Sequence, residues 1–323
     1  MTVRWGALST ARITAAVLEG ARASDRVEFI AVASREGARA QAYAREHGIE
    51  RAYGGYNALL EDPDVEAVYV SLPNGMHVEW TLRALAAGKH VLCEKPFARR
   101  AAEVEEAFDV AEREGLVLSE GFMWRHHPQT GTIARLLAEG AIGRPRVIRA
   151  SFSFQLAAVH GPGDTRFDPE LDGGALMDVG CYCVNAIRAF GGEPVSVQAD
   201  RVVGESGVDI VFTATLRLPD AVLAHFDCGF VLPFRDELEL VGEAGSLFVD
   251  DPWHIARPGI ELRRESGTES VAVQRADSYR LELENVSDAI RSRAPLLLGR
   301  EDAVAQGRVL ESLHDAAERS VPA

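Results

Sequence analysis

Lysine is almost absent from this chain. Of its 34 basic residues only Lys89 and Lys95 are lysines, and both fall in GKHVLCEKPF (88–97). Every other basic side chain is an arginine, so chemistry that needs a compact, titratable ammonium is confined to two positions. Net positive charge is lacking too. The formal charge of −15 at pH 7 excludes the clustered basic field that a phosphate backbone requires, and no nucleic-acid partner is expected. One small anion remains within reach, because one or two arginines and some oriented N–H groups hold it. The four cysteines, Cys93, Cys181, Cys183 and Cys228, form no C-x-x-C pair and no zinc-ligand spacing. They read as reduced, mostly buried thiols of a cytoplasmic protein, with no metal site. Long apolar runs are missing, none approaching the ~18–20 residues of a membrane span. The first strand pattern begins by Val3, leaving no room for a signal peptide.

A length of 323 residues exceeds one ordinary core and predicts two domains. Over residues 1–121, short apolar runs alternate with helical patterns. Strands are expected at 3–8, 27–34, 67–72, 90–95 and 116–123, and helices at 11–22, 37–47, 75–87 and 100–114. That alternation predicts an α/β domain built on a doubly wound parallel sheet with right-handed crossovers. Over 122–323 the pattern changes. A helix at 128–138 and a strand at 146–156 precede a Gly/Pro/Asp-rich loop and a helix at 173–190. Strand-like runs then follow one another at 195–203, 208–218, 221–230, 236–241 and 245–250, before closing helices near 279–292 and 301–319. This predicts an α/β domain with an open, mostly antiparallel mixed sheet. No flexible linker is visible, so an extensive interface between the halves is expected.

Strand one runs into Gly6-Ala7-Leu8-Ser9-Thr10-Ala11 with a helix directly after it. A tight turn there aims free N–H groups at a pyrophosphate. The G-x-G-x-x-G fingerprint is partial: Gly6 holds the first position, Leu8 replaces the second glycine, and Ala11 is an accepted third. The plainer alternative is a βα turn in which Ser9 or Thr10 caps the helix. Strand two ends in Ser34-Arg35, where a site for NAD places an acid against the ribose 2′-hydroxyl. A hydroxyl and a guanidinium suit a 2′-phosphate instead and point to NADP, the alternative being a surface arginine. Asn74 and His77, after the next buried strand, either cap a helix or line the cofactor cleft.

Lys95 closes HVLCEK, at the carboxyl end of another parallel strand, on the edge where such sheets bind ligands. Pro96 cannot continue the ladder and biases Lys95 toward an extended backbone. Glu94 and Lys95 point to opposite faces, so a simple pair between them is not expected. Lys89, at the other end of the strand, reads as a solvated surface charge. In GGALMDVGCYCVN, Asp178 and Tyr182 are spaced i, i+4, with Asn185 three further on, so all three share one face of a regular helix. A phenol of ordinary pKa near ~10 is a poor base, but an ammonium beside it favours its anion. Tyr182 is then either the acid/base of a dehydrogenase or a core tyrosine with a bonded hydroxyl. His126 and His127 are adjacent rather than convergent and suggest no metal.

The segments WGALSTARI (5–13), VASR (32–35), LPNGMH (72–77), CEKP (93–96), EGFMWRHHPQ (120–129), RFDPELDGGALMDVGCY (166–182) and ELVGEAGSL (239–247) together resemble the Gfo/Idh/MocA oxidoreductase family over nearly the whole chain. The resemblance implies an N-terminal Rossmann domain over 1–121 and a substrate-binding and oligomerisation domain over 122–323. It also implies a homodimer or homotetramer. Catalytic roles would fall to Lys95 and Tyr182. The cofactor would meet Gly6, Leu8, Ser9, Thr10, Ala11, Ile13, Ser34, Arg35, Leu72, Asn74, His77, Glu94, Lys95 and Arg166. Met123, Trp124 and Arg125 would line the substrate side with Asp178. Many members carry His where this chain has Tyr182, and the tyrosine resembles the branch of NADP-dependent D-xylose dehydrogenases, dihydrodiol dehydrogenases and deoxysugar 3-ketoreductases. The implied activity is NADP-dependent hydride transfer to or from a carbinol or carbonyl carbon of a sugar, polyol or sugar derivative. An aromatic trans-dihydrodiol is the alternative substrate, less favoured because aromatics are scarce in the second half. A non-catalytic NADP-sensing regulator is a further alternative, opposed by the presence of both Lys95 and Tyr182.

Overall fold

The structure, a computed structural model, describes residues 1–320, and the chain divides into two compact units. Unit 1 comprises Met1–Met123 with Asp277–Val304; unit 2 comprises Trp124–Ala276 with the chain from Ala305 onward.

Unit 1 opens with β1 (Val3–Leu8), α1 (Arg12–Arg22), β2 (Val27–Ala33), α2 (Gly37–His47), β3 (Arg51–Tyr53), α3 (Tyr56–Leu60), β4 (Ala67–Val70), α4 (His77–Ala86), β5 (His90–Glu94), α5 (Ala101–Glu114) and β6 (Leu118–Gly121). The six strands form one sheet in the order β3-β2-β1-β4-β5-β6, and every pairing is parallel. Helices cover both faces, which is why β1, β4 and β5 read as continuous apolar runs. Edge strand β3, with the half-buried sequence RAY, carries no such run and gave no sequence signal. Gly6 is fixed by packing: a Cβ there would stand 2.7 Å from Leu59 Cδ2 and 3.2 Å from Val65 Cγ1. Lys89 departs from the solvated role expected of it. It is buried, and its Nζ donates to the carbonyls of Asp62 and Val65, each at 2.7 Å. A small head with three donors satisfies two carbonyls that converge from one turn.

Unit 2 contains α6 (Pro128–Ala138), β7 (Pro145–Gln155), α7 (Leu156–His160), α8 (Cys181–Gly191), β8 (Ser196–Val203), β9 (Asp209–Arg217), β10 (Leu223–Gly229), β11 (Val231–Gly242), β12 (Ser246–Asp250), β13 (Ile260–Arg264) and β14 (Gly267–Val271). Its sheet has eight strands in the order β14-β13-β12-β11-β7-β10-β9-β8. Only β7 and β10 pair in parallel; the remaining ladders are antiparallel. Burial alternates along β9 and β10. Phe212, Ala214, Ala224 and Phe226 face the core, and Thr213, Thr215, Leu223 and His225 are exposed. The segment expected as one regular helix over 173–190 is instead a π-helical turn (Leu176–Gly180) leading into α8. Gly180 allows this turn to lie on the sheet, since a Cβ would come within 2.8 Å of Cys228 Sγ. All four cysteines are buried free thiols.

The chain then gives unit 1 its last helix, α9 (Ser278–Ile290). Asp277 caps it by accepting from Arg280 N–H at 3.0 Å. Ser287 accepts from Trp5 Nε1 at 3.2 Å, and Arg291 pairs with Glu66 at 2.8 Å. The closing α10 (Arg300–Ser320) begins among unit 1 residues, with Ala303 and Val304 in the core around β4 and β5.

One buried acid in unit 2 makes stability depend on pH. Asp236, on β11, is 4% exposed. Its Oδ1 has no hydrogen-bond partner among the described residues. Burial, then the Asp251 and Asp250 carboxylates, push its pKa up to about 7. An unfolded aspartate titrates near ~3.9, so this group stabilises the fold fully below about pH 4, and that stabilisation is lost as pH rises to about 7. Asp236→Asn is expected to remove the dependence. At pH 8 it should exceed wild type by no more than about 4 kcal/mol, from 1.36 kcal/mol per pKa unit, and at pH 4 by almost nothing. Denaturant titrations in which both proteins follow the same pH curve would refute this.

Candidate active site

The carboxyl edge of the unit 1 sheet gathers most of the sequence-predicted cofactor residues. After Leu8 the chain turns at Ser9, a non-glycine with φ +142°, and enters α1. The N-cap is Ala11, in an extended conformation; no side chain caps the helix and no acid lies in its first turn. The capping role considered for Ser9 and Thr10 is therefore not taken up. The first-turn N–H groups and the positive end of the helix dipole suit an anion. Thr10 is buried and Ile13 half-buried beside this turn. At the end of β2, Ser34 donates its N–H to the Tyr53 carbonyl at 3.1 Å, and its Oγ accepts from Glu36 N–H at 3.4 Å. Arg35 is exposed, and so is Arg39 one helical turn later. Burial raises the Tyr56 phenol, and the charges of both arginines oppose that rise. Neither forms an ion pair among the described residues. Sequence reading missed Arg39, whose signal was its i, i+4 spacing from Arg35.

The loops after β4 and β5 hold the next group. Asn74 opens a short 3-10 turn, Asn74–Met76; the N-cap of α4 is Met76 and no side chain caps that helix. His77 is fully buried, with Nδ1 2.9 Å from the Pro96 carbonyl and Nε2 2.8 Å from the Leu72 carbonyl. Burial, aided by the Lys95 charge, lowers its pKa to about 4, against the pull of the two carbonyls. Glu94 accepts from the Tyr69 hydroxyl at 2.5 Å and from Lys95 N–H at 3.3 Å. Tyr69 is wholly buried, and its phenol is driven well above its ordinary value by burial and then by the Glu94 charge. Glu282, on α9, is a second buried acid of this cluster, raised well above the carboxylate range by burial and by Glu94. Glu94 thus turns inward, and the half-buried Lys95 follows it on the strand, before a cis peptide bond to Pro96. Met123, expected on the substrate side, is buried at the end of unit 1.

In unit 2 the π-helical turn and α8 position Asp178 and Tyr182. The π-helical turn, closed by i→i+5 bonds, carries Asp178, and Tyr182 follows in the first turn of α8. Asp178 accepts from Arg166 Nη1 at 3.1 Å. Arg166 is also forked onto Asp164, Nε to Oδ1 at 2.8 Å and Nη2 to Oδ2 at 3.1 Å. The guanidinium expected on the cofactor is therefore engaged by two carboxylates of its own unit, and sequence reading missed Asp164. Tyr182 is 6% exposed within an aromatic nest. Its ring centroid lies 5.5 Å from Phe152, 5.8 Å from Trp253 and 6.4 Å from His254. Trp124 meets Trp253 edge-on at 5.8 Å. Behind Tyr182, Asn185 accepts from Arg125 Nη1 at 3.3 Å and donates to Gln306 Oε1 at 3.4 Å. Gln306 Nε2 in turn donates to the Cys181 carbonyl at 2.9 Å. This network holds the first turn of α8. His127 caps α6, its Nδ1 accepting from Gln129 N–H at 3.0 Å.

Residues 6–122 match the family described as "Oxidoreductase family, NAD-binding Rossmann fold", and residues 130–248 match "GFO/IDH/MocA C-terminal domain". The chain is 36% identical over 319 residues to a D-xylose 1-dehydrogenase (NADP(+)) of Haloferax volcanii, covering 97% of each protein. It is 35% identical over 262 residues to the trans-1,2-dihydrobenzene-1,2-diol dehydrogenase of Danio rerio, covering 80% of this chain and 77% of that one. The crystal structure of a 3-ketoreductase from Actinomadura kijaniata, in complex with NADP and TDP-benzene, superposes with a TM-score of 0.91 at 32% identity over 98% of both chains.

The Arg166 brace is directly testable. Arg166→Met leaves Asp164 and Asp178 without their shared cation, and should lower the affinity for a hydroxylated substrate by about tenfold or more, as for a charge-assisted hydrogen bond. NADPH affinity, read by fluorescence quenching, should stay within about threefold, because three of the five guanidinium N–H groups already serve Asp164 and Asp178. A parallel loss of NADPH binding would place Arg166 on the cofactor.

Proposed function

The chain belongs to the Gfo/Idh/MocA oxidoreductase family, and on that footing we propose that it is an NADP-dependent oxidoreductase that moves a hydride between the nicotinamide and a carbinol or carbonyl carbon of a sugar or sugar derivative. One observation carries this reading: the chain retains an ammonium, Lys95, at the end of β5 and a phenol, Tyr182, on α8, while aligning over 97% of its length with an NADP(+)-dependent D-xylose 1-dehydrogenase.

The cofactor choice is supported at the end of β2. Ser34, Arg35 and Arg39 offer a hydroxyl and two guanidinium groups to a 2′-phosphate, and the strand ends without the acid that NAD favours. The uncapped start of α1 suits the pyrophosphate. When bound, NADP supplies the hydride acceptor or donor. The chain's own residues do the rest. Oxidising an alcohol requires that its proton leave as the hydride does. Tyr182 takes that proton as phenolate, and returns it from the phenol in the reverse direction. Lys95 binds the reacting oxygen as charge builds on it. Asp178, held by Arg166, accepts a bond from a neighbouring substrate hydroxyl.

In this reading residues 1–121 serve the cofactor, and residues 122–323 serve the substrate and the assembly. Exposed Leu223, Val231 and Phe234 on β10 and β11 suit a face shared between copies in a homodimer or homotetramer. Buried free thiols suit the cytoplasm. No helix is long and apolar enough to cross a membrane among the described residues.

A second substrate reading has one specific observation in its favour. Aromatics are scarce in the sequence, yet Phe152, Trp253 and His254 gather around Tyr182, so the argument from composition against an aromatic trans-dihydrodiol fails locally. A non-catalytic NADP sensor has no such support, since it needs neither Lys95 nor Tyr182.

NADPH formation or consumption with a panel of free aldoses, ketosugars, nucleotide-linked sugars and a trans-dihydrodiol separates these readings. Turnover with a sugar and NADP is expected, and Lys95→Ala should reduce kcat by about 10²–10⁴-fold, the range of a positioned proton-transfer group, with NADPH binding retained. Turnover of the dihydrodiol alone would move the substrate to the second reading. Unchanged kcat in Lys95→Ala would remove the mechanism.

A further inference from the structure

His77 lies at the sheet's ligand edge, yet its ring is occupied within the protein. Both nitrogens are in contact with backbone carbonyls, Nδ1 with Pro96 at 2.9 Å and Nε2 with Leu72 at 2.8 Å. Those carbonyls belong to different loops. The Leu72 loop leaves β4 and carries Asn74; the Pro96 loop leaves β5 directly after Lys95. We propose that His77 is a positioning residue whose ring spans the two loops and so fixes the backbone from which Lys95 reaches the reacting oxygen. The inference rests on the catalytic reading of Lys95.

The physical reasons are three. A long lysine side chain is only as well placed as the backbone that bears it, and displacement of a catalytic group by about 1 Å costs about 10²-fold in rate. The imidazole is rigid and 0% exposed, so the spacing it sets cannot relax toward solvent. Burial and the neighbouring Lys95 charge hold the ring neutral, with a pKa of about 4, so its single N–H donates to one of the two carbonyls and its other nitrogen packs against the second. The clasp therefore keeps one proton arrangement throughout the working pH range.

Two substitutions divide the clasp. The amide of His77→Asn stands near the Nδ1 position and keeps the Pro96 contact; the amide of His77→Gln stands near Nε2 and keeps only the Leu72 contact. His77→Asn should retain kcat within about threefold, whereas His77→Gln should lose about tenfold or more, with NADPH affinity within about threefold in both. A second readout needs no sugar. The chain has two lysines, so protein labelled with ¹³C-lysine gives one side-chain signal for Lys95 and one for Lys89. His77→Gln should shift the Lys95 signal and leave that of Lys89, and His77→Asn should shift neither. Equal kcat losses with an unmoved Lys95 signal would reduce the ring to packing, and a tenfold loss of NADPH affinity at full kcat would make it a cofactor ligand; either overturns the proposal. If no sugar is turned over, the function fails while the lysine signals still decide the positioning. If neither variant folds, ¹⁵N-histidine spectra of the wild type decide. The His77 ring signal should stay constant from about pH 5 to 9 and on adding NADPH, and a shift in either experiment contradicts the inference.

Discussion

A parallel sheet buried on both faces can present working groups only at its ends. That constraint governs unit 1. Six parallel strands run from amino edge to carboxyl edge, so the turn at Ser9, the Ser34-Arg35 pair, Asn74 and Lys95 all emerge on one side. The two lysines mark the two edges. Lys89 is consumed closing the turn after α3 at the amino edge. Lys95, at the carboxyl edge of β5, is flanked by two fixed neighbours: Glu94, held by Tyr69, and Pro96, whose carbonyl meets His77.

Unit 2 reaches the same end by other means. The π-helical turn carries Asp178 and α8 carries Tyr182, each in its own surroundings. Asp178 meets a guanidinium already forked onto Asp164, and Tyr182 sits among aromatic rings. Arginine suits the brace because its planar fork engages both oxygens of Asp164 and still reaches Asp178. Gln306, bonded to the carbonyl of Cys181, ties down the residue before Tyr182. Asp178 is thus held by a hydrogen-bonded guanidinium and Tyr182 by packed rings, the kind of support a preorganised site requires.

The parts legible in the sequence share a cause. Strands β1, β2, β4 and β5 are buried on both faces and read as apolar runs, and β9 and β10 are buried on one face and read as alternation. Edge strands β3 and β14 are short and polar, and no periodicity marks them. The chemistry-bearing residues were legible as motifs, but their partners were not. Asp164 and Gln306 lie 14 and 124 positions from Asp178 and Tyr182 in the numbering, and only tertiary packing joins them. Lys89 was misread because lysine is rarely buried without carbonyls to receive it, and those carbonyls come from a distant turn. Asn74 and Ser9 carry good capping chemistry that α4 and α1 do not use, which leaves both helix starts open at the ligand edge.

In the proposed reaction Tyr182 exchanges the proton of the reacting hydroxyl, and single-turnover hydride transfer measures that step alone. With a sugar deuterated at the reacting carbon, wild type should show a primary isotope effect and a transfer rate that rises with pH through one ionisation. Tyr182→Phe should lower that rate by about 10²-fold or more and abolish the pH dependence. An unchanged rate with the same pH profile in Tyr182→Phe would remove Tyr182 from the proton transfer.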